Sequence, residues 1–191
     1  MQYSSGLAGI TDNSPAEPAA VAWMGTLAGG WKRDRESDDQ LSAGPEWRQE
    51  RPEDGRALVL VVEDNQADVF LVEQAIKLRN LPVRLLMLDN GDDALRYFMQ
   101  ADADPTARCP DAVLLDLNLP RRSGREVLKQ VKGTVRCRNV PVIILTSSNS
   151  PEDRRETLAL GAIRYFRKPT SFQEFLKIGE VLEEVLAEHR R

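Results

Sequence analysis

Leu58-Val59-Leu60-Val61-Val62 runs without a break into Glu63-Asp64-Asn65. Five successive aliphatic residues show neither the 3.6-residue period of a surface helix nor the two-residue alternation of a half-exposed strand, so they read as a strand buried on both faces. A strand of that kind belongs inside a parallel sheet, and its polar continuation, two acids and an amide, marks the end at which the chain emerges. Working outward, further short apolar runs fall at residues 83–88, 112–115, 142–145 and 163–166, beside the first at 58–62. Segments of helical period separate or follow them at 66–79, 92–100, 124–132, 151–160 and 171–189. This alternation predicts an α/β fold, a (βα)5 unit with a doubly wound parallel five-stranded sheet. Pro151 suits a first helical turn with Ser150 as N-cap, and Ser171 is placed to help cap the final helix. In the first helix Leu71, Val72, Ala75 and Leu78 are expected to face the core, with Phe70 roughly opposite that stripe.

The composition sets the bounds within which this frame works. A chain of 191 residues with 41% hydrophobic and 29% charged residues can bury one core of ordinary size. The formal net charge of -4 gives no general attraction to nucleic acid or to an anionic membrane. Residues 19–30 are apolar but too short to span a bilayer, and Asp12 and Glu17 precede them where a secretory signal would be basic, so a cytoplasmic location is expected. Residues 1–55 are rich in Gly, Pro, Ser, Asp and Glu and are expected to form a flexible extension, leaving residues 56–191 as the folded domain. Trp23, Trp31 and Trp47 could anchor a partner there, or the extension could be non-functional. Cys109 and Cys137 lack metal-ligand spacing and read as reduced thiols. The single histidine, His189, suits the carbonyl end of the last helix.

In open α/β sheets, ligands bind beyond the carboxyl ends of the strands. The first run ends at Glu63 and Asp64 and the third at Asp116. If those strands are neighbours, three carboxylates converge on one rim. Two like charges ~5 Å apart repel by about 3 kcal/mol at an effective dielectric of about 20, so such a cluster calls for a cation, and a hard divalent ion, Mg2+ where phosphate is handled, matches all-oxygen ligands. The fourth run ends at Thr146-Ser147-Ser148-Asn149 and the fifth at Lys168-Pro169, adding hydroxyls and a fixed ammonium to the same rim. Carboxylate, metal, hydroxyl and lysine together describe a pocket for a phosphoryl group, with an aspartate as nucleophile.

Four motifs in this order, VVEDN at 61–65, LLDLNLP at 114–120, ILTSSNS at 144–150 and RYFRKP at 164–169, resemble the receiver domains of bacterial response regulators. The match extends over residues 58–190. It implies a flavodoxin-like receiver fold, with Asp116 as phosphoacceptor, Asp64 and Asp116 as direct Mg2+ ligands, and Glu63 as a ligand reached mainly through water. It further implies a metal ligand in the Asn118 carbonyl, a phosphoryl hydrogen bond from Thr146, a salt bridge from Lys168 and a cis Lys168–Pro169 bond. Glu63 stands where many members have Asp. Tyr165 holds the position of the aromatic that swings inward with the Thr hydroxyl, so phosphorylation would expose a surface for a partner or for a second copy of the chain. Asn118 and Ser148 flank the pocket and are candidates for tuning the phosphoryl lifetime. The long segment 101–110, with VEDNQADVFLVEQAI and DLNLPRRSG, looks like the stand-alone regulators paired with phytochrome-type histidine kinases. Phe70 lies on the helix that meets the kinase in the family. Arg154, Arg155, Arg164 and Arg167 read as a solvated face.

The resemblance implies a signalling protein and no enzyme. An aspartate-nucleophile phosphohydrolase normally places its nucleophile after the first strand and adds a cap, whereas Asp116 follows the third run. A flavin module would need a hydroxyl- and glycine-rich loop where VVEDN stands. A degenerate receiver is disfavoured because every site position is filled.

Overall fold

The computed structural model describes residues 55–189. Along the chain these form β1 (Ala57–Val62), α1 (Gln66–Leu78), β2 (Val83–Leu88), α2 (Gly91–Ala103), β3 (Ala112–Leu115), α3 (Gly124–Gly133), β4 (Val142–Thr146), α4 (Pro151–Ala159), β5 (Arg164–Arg167), α5 (Phe172–Phe175) and α6 (Ile178–His189). The strands make one sheet in the order β2-β1-β3-β4-β5, every pair parallel. Each expected strand is present to within a residue or so at its ends. The expected extension, residues 1–55, lies outside the described residues except for Gly55, as do its tryptophans.

Alternation along the strands divides the core between two faces. Leu60, Val62, Val113, Leu115, Val142 and Ile144 point toward Phe98 of α2 and Val127, Leu128 and Val131 of α3. Val59, Val61, Leu114, Ile143 and Leu145 point the other way, toward Val72 and Ala75 of α1 and Ile178, Leu182 and Val185 of α6. The central strands are therefore apolar at every position, as burial on both faces demands. Helix starts are fixed by side chains: Asn65, Asn90, Ser123 and Ser150 each accept from a first-turn N–H, and Ser123 with Glu126 forms a full capping box.

Four expectations need correction. The final helical segment is two helices, α5 and α6, separated at Leu176 and Lys177, and Ser171 stands at the N-cap of α5 without a side-chain bond. Gly179 at the start of α6 lets it lie against α1, since a Cβ there would come within 2.8 Å of the Ala75 carbonyl. Leu78 is 69% exposed; the buried residues of α1 are Val69, Val72 and Ala75. At about 100° per residue Leu78 lies roughly 120° round the helix from Val72, which carries it off the packed face, while Phe70, at roughly 160°, is exposed as expected. The described residues contain no cis peptide bond, so Lys168–Pro169 is trans, the isomer that X-Pro bonds favour by ~0.5–1 kcal/mol. Finally, Cys109 and Cys137 are joined as a disulfide, with Cα atoms 5.5 Å apart. They stand in the lead-ins to β3 and β4, and because those strands are adjacent the lead-ins run side by side; a separation of 28 residues hides that proximity in the sequence.

His189 meets its expected role: its Nδ1 lies 2.9 Å from the Val185 carbonyl, which can only accept, so Nδ1 carries the proton. No described helix is long and apolar enough to cross a membrane.

Candidate phosphoryl-transfer site

Register builds the site. Val62 of β1 is paired with Leu115 of β3, so the next residues, Glu63 and Asp116, emerge side by side at the carboxyl rim. Backbone bonds hold both in place, Glu63 N–H to the Leu88 carbonyl at 2.9 Å and Asp116 N–H to the Val62 carbonyl at 3.0 Å. On the far side of β3, the Lys168 N–H donates to the Thr146 carbonyl at 2.8 Å, which locks the β5 exit to the end of β4. Gly124 opens α3 directly against this rim: a Cβ there would fall 2.0 Å from the Asp116 carbonyl oxygen. Any side chain at 124 would push α3 off the backbone that carries Asp116.

Lys168 stands at the centre. Its Nζ is 2.7 Å from Glu63 Oε2, 2.8 Å from Asp116 Oδ2 and 2.9 Å from Asp68 Oδ2. The other oxygens are tied to the backbone: Asn65 N–H donates to Glu63 Oε1 at 3.2 Å and Asn118 N–H to Asp116 Oδ1 at 3.1 Å. Glu63, Asp116 and Thr146 are buried, whereas Asp64 and Asn118 are exposed at the mouth. One carboxylate oxygen from each of Glu63, Asp64 and Asp116 lies within 4.8 Å of the others, a spacing one small cation could bridge. The all-oxygen donor set fits a hard divalent ion.

Electrostatics agree with that arrangement. Burial pushes the Glu63 carboxyl up to about 7, against the hydrogen bond and charge of Lys168, and the neighbouring Asp116 charge adds to the rise. Burial alone would lower Lys168, but its bonds to Asp116, Glu63 and Asp68 outweigh that and hold its ammonium above the usual lysine range. Three acids surround one base and Asp64 stands beside them, an excess of acidic groups that suits a cation.

Thr146 Oγ1 accepts from the Ser148 N–H at 3.2 Å, and Tyr165 OH donates to the Ser148 carbonyl at 3.2 Å. Ser148 thus stands between the two expected switch residues and bonds to both through its backbone. Its hydroxyl also donates to Asp153, which is paired with Arg125 at the start of α3. Of the arginines read as a solvated face, Arg164 pairs with Glu188 at 3.2 Å and Arg155 lies 3.9 Å from Glu152.

The structure brings together Glu63, Asp64, Asp116 and Lys168, with Thr146 and Asn118 bordering them; Tyr165 joins through Ser148, and Phe70 lies apart on α1. Asp68 was missed. An acid in the first turn of a helix ordinarily serves the helix dipole, and the signal that could have found it is its position one turn beyond the acid pair.

Residues 59–179 match the family model of the response regulator receiver domain, and the chain belongs to that family. Response regulator Rcp1 of Synechocystis sp. is 31% identical over 126 residues, 66% of this chain and 86% of Rcp1. The probable methanogenesis regulatory protein FilR2 of Methanothrix harundinacea is 35% identical over 127 residues, 66% of this chain and 81% of FilR2. Among solved structures, the phosphorylated cyanobacterial phytochrome response regulator RcpA matches with a TM-score of 0.62 and 30% identity, covering 69% of this chain and 94% of RcpA. The Mn2+-bound form of Rcp1 matches with a TM-score of 0.60 and 30% identity, covering 67% of this chain and 92% of that one. The chain is thus a receiver homologous to response regulators of two-component systems, with the flavodoxin-like five-stranded fold of that family. Receivers bind a divalent metal in the acidic pocket and interact with histidine kinases.

Proposed function

We propose that this receiver accepts a phosphoryl group on Asp116 from a histidine kinase in an Mg2+-dependent reaction and thereby switches a surface that binds a partner or a second copy of the chain. The observation that carries the proposal is the buried Asp116 carboxylate, held by Lys168 and lying beside Glu63 and Asp64 at cation-bridging distance. Asp116 attacks phosphorus in line as the bond to the donor histidine nitrogen breaks. Glu63, Asp64, Asp116 and the Asn118 carbonyl would hold Mg2+, which supplies neutralising charge to the transferring oxygens. Lys168 donates to one of those oxygens and the Thr146 hydroxyl to another. When Thr146 turns toward the phosphoryl group, the Ser148 N–H loses its acceptor, and the loop that also holds Tyr165 is free to rearrange.

The chain would carry and lose its own phosphoryl group and turn over no separate substrate, which separates it from a phosphohydrolase. A cytoplasmic location goes with a phosphohistidine donor. A phytochrome-type kinase is supported by the likeness to RcpA, itself a phytochrome response regulator. Residues 56–191 are proposed to suffice for the chemistry. Incubation with acetyl phosphate and Mg2+, followed by intact mass, tests the reading without the kinase. Wild type gains one acid-labile phosphoryl group; Asp116→Asn gains none, and excess chelator abolishes labelling. Equal labelling of Asp116→Asn would move the phosphosite elsewhere.

A further inference from the structure

A lysine ammonium has three N–H donors, and each donor of Lys168 has a carboxylate in reach, on Glu63, Asp116 and Asp68. A phosphoryl oxygen can therefore join Lys168 only by replacing one of them. The three acceptors are unequal. The side chains of Glu63 and Asp116 are 1% and 6% exposed, and the second oxygen of each is held by a backbone N–H. The Asp68 side chain is 18% exposed, stands in the first turn of α1, and has its ion pair with Lys168. Water can replace Lys168 at Asp68 more easily than at Glu63, where release would strand a buried charge, or at Asp116 Oδ2, which as the carbonyl oxygen of the acyl phosphate would lose its buried donor. Asp68 also lies outside the cluster able to hold a cation, so it has no metal to turn to.

We propose that Asp68 is a positioning residue that occupies the third N–H of Lys168 while Asp116 is unmodified and yields it to an oxygen of the phosphoryl group, so that Asp68 sets how tightly the pocket retains that group. This rests on Asp116 being the phosphoacceptor. During transfer the bond from Asp116 oxygen to phosphorus forms as the donor's bond to phosphorus breaks; Asp68 takes part in neither and exchanges Lys168 for water. As a competitor for the ammonium, it weakens retention. Its removal should strengthen it.

The test is a calorimetric titration of the full chain with beryllofluoride, a non-covalent mimic of the phosphoryl group, at saturating Mg2+. Asp68→Asn is expected to bind about tenfold more tightly than wild type, and Asp68→Glu to bind as wild type does. In a Lys168→Ala background the same Asp68→Asn change should alter affinity by less than about twofold, since the two residues act as a coupled pair. Equal or weaker binding by Asp68→Asn overturns the proposal. So does the same tenfold gain without Lys168, which would make Asp68 a bystander charge. Wild type that fails to bind beryllofluoride at all would instead overturn the assignment of Asp116.

Discussion

The two ends of the sheet use the same kinds of residue to opposite effect. At the amino end, where β3 and β4 begin, acids and bases are matched to fixed partners. Asp111 Oδ2 accepts from the Leu58 N–H and from Arg108, both at 2.6 Å. Asp102 accepts from the N–H groups of Val135 and Arg136 at 2.8 and 2.9 Å. The Arg136 guanidinium donates to the carbonyls of Ala101, Asp104, Pro105 and Ala107, and Lys132 to those of Arg138 and Val140. The Cys109–Cys137 disulfide closes the same region. A cleft of about 310 Å³ lies there, lined by Pro110, Asp111, Arg136 and Pro141 among others, but its Asp and Arg are spent on the protein itself. At the carboxyl end, three acids share one ammonium and Asp64 stands beside them, so acids outnumber bases there. Matched charge holds loops; unmatched negative charge is what a site needs to draw in a cation.

The contrast predicts that damage at the amino end reduces stability alone. Replacing both cysteines with alanine should lower the unfolding free energy by about 3.5 kcal/mol in urea titrations, the scale expected for closing a loop of this size. Labelling by acetyl phosphate should not change. If labelling fell in parallel, the two ends would be coupled and the comparison would fail.

Neutralising an acid should change sign between the ends. The folded-state value of Glu63, about 7, lies above its ordinary 4.5. The stability associated with its neutral form is thus fully present below pH 4.5 and lost as the pH rises through about 7. Metal-free wild type should weaken across that window. Glu63→Gln, which cannot ionise, should exceed it by about 3 kcal/mol above the window and match it below. Asp111→Asn, which weakens two hydrogen bonds at the amino end, should instead lose about 1–2 kcal/mol at neutral pH. Thermal unfolding in chelator reads both. A Glu63→Gln protein less stable than wild type above neutrality would mean that its bond to Lys168 outweighs its burial.

Phe70 sharpens the contrast from outside the pocket. It is 45% exposed on α1, two residues beyond Asp68. As an anchor for the kinase, Phe70→Ala should slow transfer from that partner about tenfold. Labelling by acetyl phosphate and thermal stability should stay as in wild type. Equal slowing with both donors would indicate damage to the pocket. The smallest effect is expected from removing residues 1–55: the remaining domain should label at the wild-type rate, and loss of labelling would show that the extension belongs to the working unit.

Most of the site was legible because it is written at strand ends. Once the apolar runs are recognised, the residues that follow them, Glu63-Asp64, Asp116, Thr146 and Lys168, must share one rim, since parallel strands all emerge on the same side. Asp68 was not legible in that way, because a helix rather than a strand carries it to Lys168. The break at Leu176 and Lys177 was hidden by apolar spacing that continues through it, and the exposure of Leu78 by reading the α1 stripe as a fixed face when it drifts round the helix.

By itself, the sequence determined the strand and helix alternation, the parallel sheet and the identity of the strand-end groups, because these follow from local periodicity and from where apolar runs stop. Only the tertiary structure decided that β1 and β3 are neighbours, that Lys168 has three carboxylates and not two, and that Cys109 and Cys137 meet. Those depend on which distant segments the packing of two helical layers places side by side, and no local pattern encodes a distance between residues far apart in the chain.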